Sequence, residues 1–314
     1  MKKIEDYFKD YDNSIKLNKS DYDKMRDKRE KIIKELKSND NVISFDHINL
    51  GSYKLKTGVR YKNNDFDIDC GIRLNIKEDE LDSYDAKECK TSIYEAILNY
   101  RDKIYKNKCI TAVYYENNHP SYHVDFPVFA YDQEKECYYL AEGKQNEEVK
   151  WVKSEPSKLI EYLDLKDDNY KRIVRLLKKW NSKVFESEKK NSKAPSIALT
   201  LEAREWFGNN SYDNDFDALI SIAKRMKDLI IGDNYIYKTS EYIKTNIYYK
   251  MVNDKGCVSI FKKKLTDFIN ILEEAKKTVS IEKKCSLLRK VFADFPIPEK
   301  ELVKESFAPN ARYA

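Results

Sequence analysis

An acidic run alternates through Asp65-Phe66-Asp67-Ile68-Asp69, and a further aspartate, Asp125, is set in the apolar stretch Tyr122-His123-Val124-Asp125-Phe126-Pro127-Val128-Phe129. An aspartate inside a strand-like apolar run is costly unless its charge is offset. Residues two apart on a strand share a face, so Asp67 and Asp69 point the same way. Three carboxylates aimed at one place repel each other, and divalent cations are the usual remedy. Ahead of the run, Gly51-Ser52 opens the stretch GSYKLKTGVRYKNNDFDIDCG. Glycine lets the backbone approach a polyphosphate, and serine adds a hydroxyl donor. A phosphate-holding turn followed by a two-metal carboxylate cluster is the chemistry of nucleotidyl transfer. In that chemistry Asp67 and Asp69 hold a pair of Mg²⁺ ions, with Mn²⁺ as the alternative. Asp125 completes the second metal site and can accept the proton of the attacking hydroxyl.

Asp65 competes with this assignment, because Asp65-Phe66-Asp67 offers the same spacing. Asp67 and Asp69 are preferred: Cys70-Gly71 and an apolar strand follow at once and place them deepest. The Gly-Ser pair carries little alone, since such dipeptides occur in many turns. Its weight comes from its company. The chain has seven glycines, and Gly51, Gly58 and Gly71 crowd one short window, where the backbone must turn sharply or approach a ligand. His47, His119 and His123 are read as non-ligands, because none is paired at metal spacing. The second acidic run, Asp213-Asn214-Asp215-Phe216-Asp217, opens a helical stretch and is read as capping. Trp151, Trp180 and Trp206 sit in apolar helical patterns and are read as core.

These residues need elements to hold them. Residues 3–38 read as one long amphipathic helix with Tyr22, Met25, Ile32, Ile33 and Leu36 on its apolar face. Residues 42–45 read as a short strand. Phe66, Ile68, Cys70, Ile72, Leu74 and Ile76 form a period-two face through 66–76. A helix is expected over 85–106, and strands over 113–115, 122–131 and 137–141. The polar segment 142–150 is the best candidate boundary. Beyond it, helical patterns dominate: 157–164, 168–182, 195–207, 215–230, 238–250, 259–278 and 281–293, with a mobile loop at 183–193. The class is therefore α+β. It divides into a core with a long amino-terminal helix (1–150) and a helical lobe (151–314).

Composition narrows the partners. Of 314 residues, 36% are charged, with both signs interspersed and a net charge of +5. That balance permits anionic nucleotides without requiring a stable nucleic-acid complex. The six cysteines form no CxxC pair and suit neither a zinc site nor a disulfide scaffold. No signal peptide and no membrane span are expected, which places the protein in the cytoplasm.

The segments G-S-Y-K-L-K-T-G-V-R, D-I-D-C-G and H-V-D-F-P-V-F-A together resemble the bacterial cyclic-oligonucleotide synthases. These are relatives of animal cyclic GMP-AMP synthase and oligoadenylate synthase within the polymerase-β-like nucleotidyltransferase superfamily. Arg172-Ile173-Val174-Arg175-Leu176-Leu177-Lys178-Lys179-Trp180 resembles the family's helix with a triphosphate-binding lysine. Ala194-Pro195-Ser196-Ile197-Ala198-Leu199 resembles its Pro-Ser helix start. The resemblance spans roughly 45 to 205. It implies a two-lobed enzyme with a central cleft. Gly51 and Ser52 would bind the β- and γ-phosphates, Asp67, Asp69 and Asp125 the metals, and Lys178 and Ser196 the triphosphate from the helical side. Lys179 competes with Lys178 by a one-residue slip, and Ser196 also suits a helix N-cap.

The implied reaction joins ribonucleoside triphosphates, ATP or GTP foremost, into a cyclic di- or trinucleotide that activates an effector protein in anti-phage signalling. A ubiquitin-like conjugation partner or a peptide-binding regulator is also implied. Ala314 is compatible with such conjugation, but a small last residue is too common to argue from. Two alternatives stand beside this. The same carboxylates could transfer a nucleotide to RNA, protein or a small molecule. The fold could also serve a non-catalytic nucleic-acid sensor or scaffold, which three mutually repelling carboxylates disfavour.

Overall fold

A computed structural model describes residues 2–61, 66–97, 102–116, 119–232, 234–235 and 246–298. Asp65, Ala314 and most of the helix expected over 238–250 lie outside the described residues. Where one long amino-terminal helix was expected there are two, α1 (Ile4–Ile15) and α2 (Lys19–Lys37). The break is written locally. The Asn18 side chain accepts the Asp21 N–H and caps α2, while Lys16 is extended and bridges to Val59. Tyr7, Phe8, Tyr11 and Ile15 of α1 pack into a core of helices from the second half of the chain. Met25, Ile32, Ile33 and Leu36 of α2 pack against the sheet. One straight helix presents one apolar stripe, which cannot face two cores.

There follow β1 (Phe45–Asn49), α3 (Gly51–Leu55), β2 (Phe66–Asn75), α4 (Ala86–Ala96), β3 (Asp102–Tyr105), β4 (Ile110–Glu116), β5 (His119–Phe126), β6 (Val128–Asp132), β7 (Cys137–Glu142) and β8 (Lys150–Ser154). They build an eight-stranded mixed sheet in the order β3-β4-β5-β2-β6-β7-β8, with β1 also on β2. Strand β2 is its axis. Phe66, Ile68, Cys70, Ile72 and Leu74 are buried, as the period-two pattern requires. Its first half runs parallel to β5, and its second half runs parallel to β6 and antiparallel to β1.

Several expectations change in this half, beginning with the strand over 42–45, which instead runs Phe45–Asn49 as β1. The helix over 85–106 ends at Ala96, and residues 102–105 are a strand paired with β4. The strand over 122–131 is two strands parted at Pro127. Proline has no N–H for the ladder, but its carbonyl accepts the Ile72 N–H at 2.9 Å. The polar run 142–150 connects the antiparallel pair β7 and β8, so the sheet continues to Ser154. We retain the division into a sheet-bearing and a helical part as a proposal and set it after β8.

The second half contains α5 (Pro156–Leu163), α6 (Asp168–Val184), α7 (Ser196–Asn209), α8 (Asp215–Asp228), the short pair β9 (Ile230–Ile231) and β10 (Asn234–Tyr235), α9 (Tyr249–Val252), α10 (Cys257–Lys277) and α11 (Ile281–Leu288). Trp180 lies at its centre, fully buried and stacked on Phe268 at 4.5 Å between ring centroids. Trp206 is buried too, and Trp151 packs against the sheet core while donating to the Tyr84 carbonyl. The loop 183–193 is anchored by buried Phe185 and Ser192. In the second acidic run, Asn214 is the cap of α8. Asp215 is fully buried and paired with Arg172 at 3.1 Å, a role the capping reading did not contain. The six cysteines are free thiols. Among the described residues, no helix is long and apolar enough to cross a membrane.

Candidate active site

Strand register places the carboxylates. Asp67 and Asp69 lie two apart on β2, and Asp69 is the register partner of Asp125 on β5. All three therefore share one face. Strand β1 runs antiparallel to β2 with Asn49 opposite Cys70, and the Leu50 N–H donates to the Asp69 carbonyl at 2.9 Å. This delivers Gly51, the first residue of α3, against Asp69. Gly51 has φ +55°, and a Cβ there would stand 2.8 Å from Asp69 Cγ. Both the left-handed backbone and the close approach call for glycine.

A cavity of about 330 Å³ opens on this face. Gly51, Ser52, Asp67, Asp69, Asp125, Lys178 and Ser196 all line it. The structure thus brings together the seven preferred site residues, from β2, β5, α3, α6 and α7. Lys178 and Lys179 part company. Lys178 is buried at the cavity wall, and its Nζ donates to Thr57 O and Thr57 Oγ1 at 3.1 and 3.3 Å. Lys179 Nζ instead donates to the Arg60 carbonyl at 2.8 Å, and the residue is not among those lining the cavity. Ser196 is the first residue of α7 rather than its cap. Pro195 holds the cap position, and no side chain caps this end.

Sequence reasoning missed what supports the wall. Helix α6 grips the segment 56–60 between α3 and β2 with three cationic side chains. Arg175 donates to the Lys56 carbonyl at 2.9 Å and pairs with Asp12 of α1 through two bonds of 2.6 and 2.7 Å. Lys178 and Lys179 hold Thr57 and Arg60. The bidentate pair is buried on both sides, so it is geometrically specific. No local pattern announces it, because Asp12 and Arg175 are far apart in sequence. Lys106 was missed as well. It lines the cavity, and its Nζ lies 3.2 and 3.4 Å from the Asp125 carboxylate oxygens. Thr111, the partner of Asp125 across β4 and β5, donates its hydroxyl to the same carboxylate.

The electrostatics follow from crowding. Burial pushes the Asp69 carboxyl up to about 7, and the charges of Asp125 and Asp67 push it the same way. Burial also draws the Lys178 ammonium down to about 8, against the pull of Asp69. His123 Nδ1 lies 3.6 Å from Asp67 Oδ1, a flank to the cluster. Among the described residues, no three His, Cys, Asp or Glu side chains are closed into an ion-holding group. Asp125 is turned toward Lys106 and Thr111. The donor set nonetheless suits a hard divalent cation: all-oxygen ligands share one face, and their mutual repulsion such an ion would relieve.

This mixed sheet with one acidic face, completed by helices, is a nucleotidyltransferase fold. Solved structures of low sequence identity share it. The chain superposes on Vibrio cholerae DncV in its apo form with a TM-score of 0.71 at 13% identity, covering 93% of this chain and 95% of that one. Bradyrhizobium diazoefficiens CdnG in complex with GTP gives 0.69 at 11% identity, covering 92% and 95%. E. coli MS115-1 CdnC with ATP gives 0.62 at 16% identity, covering 93% and 98%. No curated protein matches in sequence. Residues 1–169 match the Second Messenger Oligonucleotide or Dinucleotide Synthetase domain, and the chain belongs to that family. It is a nucleotidyltransferase of a family that makes second-messenger oligonucleotides or dinucleotides, in a class that generally depends on divalent metal.

Proposed function

We propose that the cavity binds a ribonucleoside triphosphate between β2 and α6 and that its seven predicted residues divide the work. Gly51 and Ser52 hold the β- and γ-phosphates, with Lys178 and Ser196 opposite them. Asp67, Asp69 and Asp125 hold two Mg²⁺ ions. Such ions neutralise the triphosphate and lower the pKa of the attacking hydroxyl. Asp125 takes that hydroxyl's proton as the oxygen attacks the α-phosphorus. The new P–O bond replaces the α–β anhydride bond, and pyrophosphate departs. A second transfer within the cleft closes the ring. The observation that carries this reading is the convergence of all seven residues, from five separate elements, on one cavity.

ATP and GTP are the proposed substrates. The complexes of CdnC with ATP and of CdnG with GTP support the choice by analogy. A cytoplasmic location, an effector protein reached through the cyclic product, and a conjugation or peptide-binding regulator belong to the same proposal. CdnC has been solved in complex with HORMA-deltaN, which favours a regulator of that kind. The test is incubation of the purified protein with the four ribonucleoside triphosphates and Mg²⁺. A phosphatase-resistant product of cyclic mass, formed with pyrophosphate, is expected. Consumption of none of them, alone or mixed, overturns the reading, and a product that grows on RNA or labels a protein replaces it.

A further inference from the structure

The turn between β3 and β4 is fastened more firmly than a surface hairpin requires. Lys90 of α4 is fully buried, and its Nζ donates to three carbonyls: Lys106 and Asn107 at 2.8 Å each and Gly143 at 2.9 Å. The Gly143 N–H donates to the Asn107 carbonyl at 2.9 Å, and Asn107 Nδ2 donates to Glu142 at 2.9 Å. A buried ammonium is costly to desolvate, and three carbonyls without a carboxylate offset that cost only in part. The result is a rigid base for one residue, Lys106, whose backbone is fixed and whose ammonium reaches Asp125.

We propose that Lys106 is a positioning residue that competes with divalent metal for Asp125, so that the metal must displace it to engage all three carboxylates. This rests on the assignment of Asp125 as a metal ligand. The geometry supports displacement: the Lys106 side chain is 45% exposed, against 25% for Asp125, so the ammonium can swing to water while the carboxylate stays in the site. The Thr111 hydroxyl donates to Asp125 as well, a second hold on the carboxylate that does not depend on Lys106.

The experiment is Mn²⁺ binding without nucleotide, followed by loss of the free-ion EPR signal, on the full chain and on K106M, K106R and D125N. Wild type should bind Mn²⁺ and D125N should bind it more weakly. K106M should bind about fivefold more tightly, the fold-change equivalent to a partly exposed ion pair of about 1 kcal/mol. K106R, which keeps the charge, should stay within about twofold of wild type. If D125N weakens binding but K106M equals or falls below wild type, the competition is wrong while the metal assignment stands. If wild type binds no Mn²⁺, or D125N binds as wild type does, both fall together. Thermal melting of each variant identifies a loss due to misfolding, and K106R supplies the comparison if K106M is not folded.

Discussion

Replacing Gly51 with alanine changes one methyl group and strikes two features of the site. The backbone at this position has φ +55°, where a Cβ costs about 1–2 kcal/mol. The new Cβ would also stand 2.8 Å from Asp69 Cγ. An ordinary carbon–carbon contact needs about 3.5–4.0 Å, so the carboxylate or the α3 turn must move by about 1 Å. The backbone that carries both is held in place. The Leu50 N–H is bonded to the Asp69 carbonyl, and Ile68 and Cys70 on either side of Asp69 are fully buried. A displacement of about 1 Å in a positioned group costs about a hundredfold in rate. Gly51→Ala should therefore lower pyrophosphate release at saturating nucleotide and metal by about a hundredfold. The melting temperature should fall by only a few degrees, in keeping with about 1–2 kcal/mol. A folded variant with the wild-type rate would refute the reasoning, because it would show that neither the turn nor the Asp69 carboxylate needs its present position.

Other consequences follow from the same geometry. Arg175→Met leaves Asp12 buried without its partner and should cost about 3–5 kcal/mol in urea unfolding, whereas a loss under 1 kcal/mol would show that the pair does not fasten α6 to α1. Lys178→Met should raise the KM for nucleotide at least tenfold while Lys179→Met changes it less than threefold; the reverse order would move the phosphate contact to Lys179. Glu5 offers a pH test. Burial, and then the charge of Asp215, pushes its carboxyl up to about 7, so the folded state binds a proton that the unfolded state has released above its ordinary carboxylate range. Stability from this group is present at low pH and is lost as pH rises through about 7. Glu5→Gln should flatten that fall, gaining about 1–2 kcal/mol relative to wild type at pH 8 after allowance for partial exposure. An unchanged difference between pH 5.5 and pH 8 would contradict it.

The carboxylates were legible because their spacing is a strand's own period. Asp67 and Asp69 alternate with buried Phe66, Ile68 and Cys70, and Asp125 stands alone among apolar neighbours. Gly51 was legible through its rarity. What supports the site was not legible, for reasons of distance and composition. The pairing of Asp12 with Arg175 joins α1 to α6, and neither residue departs from an ordinary helical charge pattern. Lys106 is one lysine among many in a Lys-rich chain, and only the β3–β4 turn sends it to Asp125. The helix over 85–106 ran too far because the polar strand Asp102–Tyr105 carries no alternation strong enough to overrule it; its pairing with β4 decides the matter. The long amino-terminal helix was divided by Asn18, a cap signal inside an apparently continuous apolar pattern. That pattern serves two cores, and only the tertiary fold distinguishes them.

The most direct measurement is the anomalous scattering of Mn²⁺ in crystals of the protein grown with an ATP analogue that resists cleavage between its α- and β-phosphates. Ion peaks ligated by Asp67, Asp69 and Asp125 are expected, with the analogue's phosphates against Gly51 and Ser52. Ions that avoid Asp125, or phosphates seated away from the Gly51 turn, would contradict it.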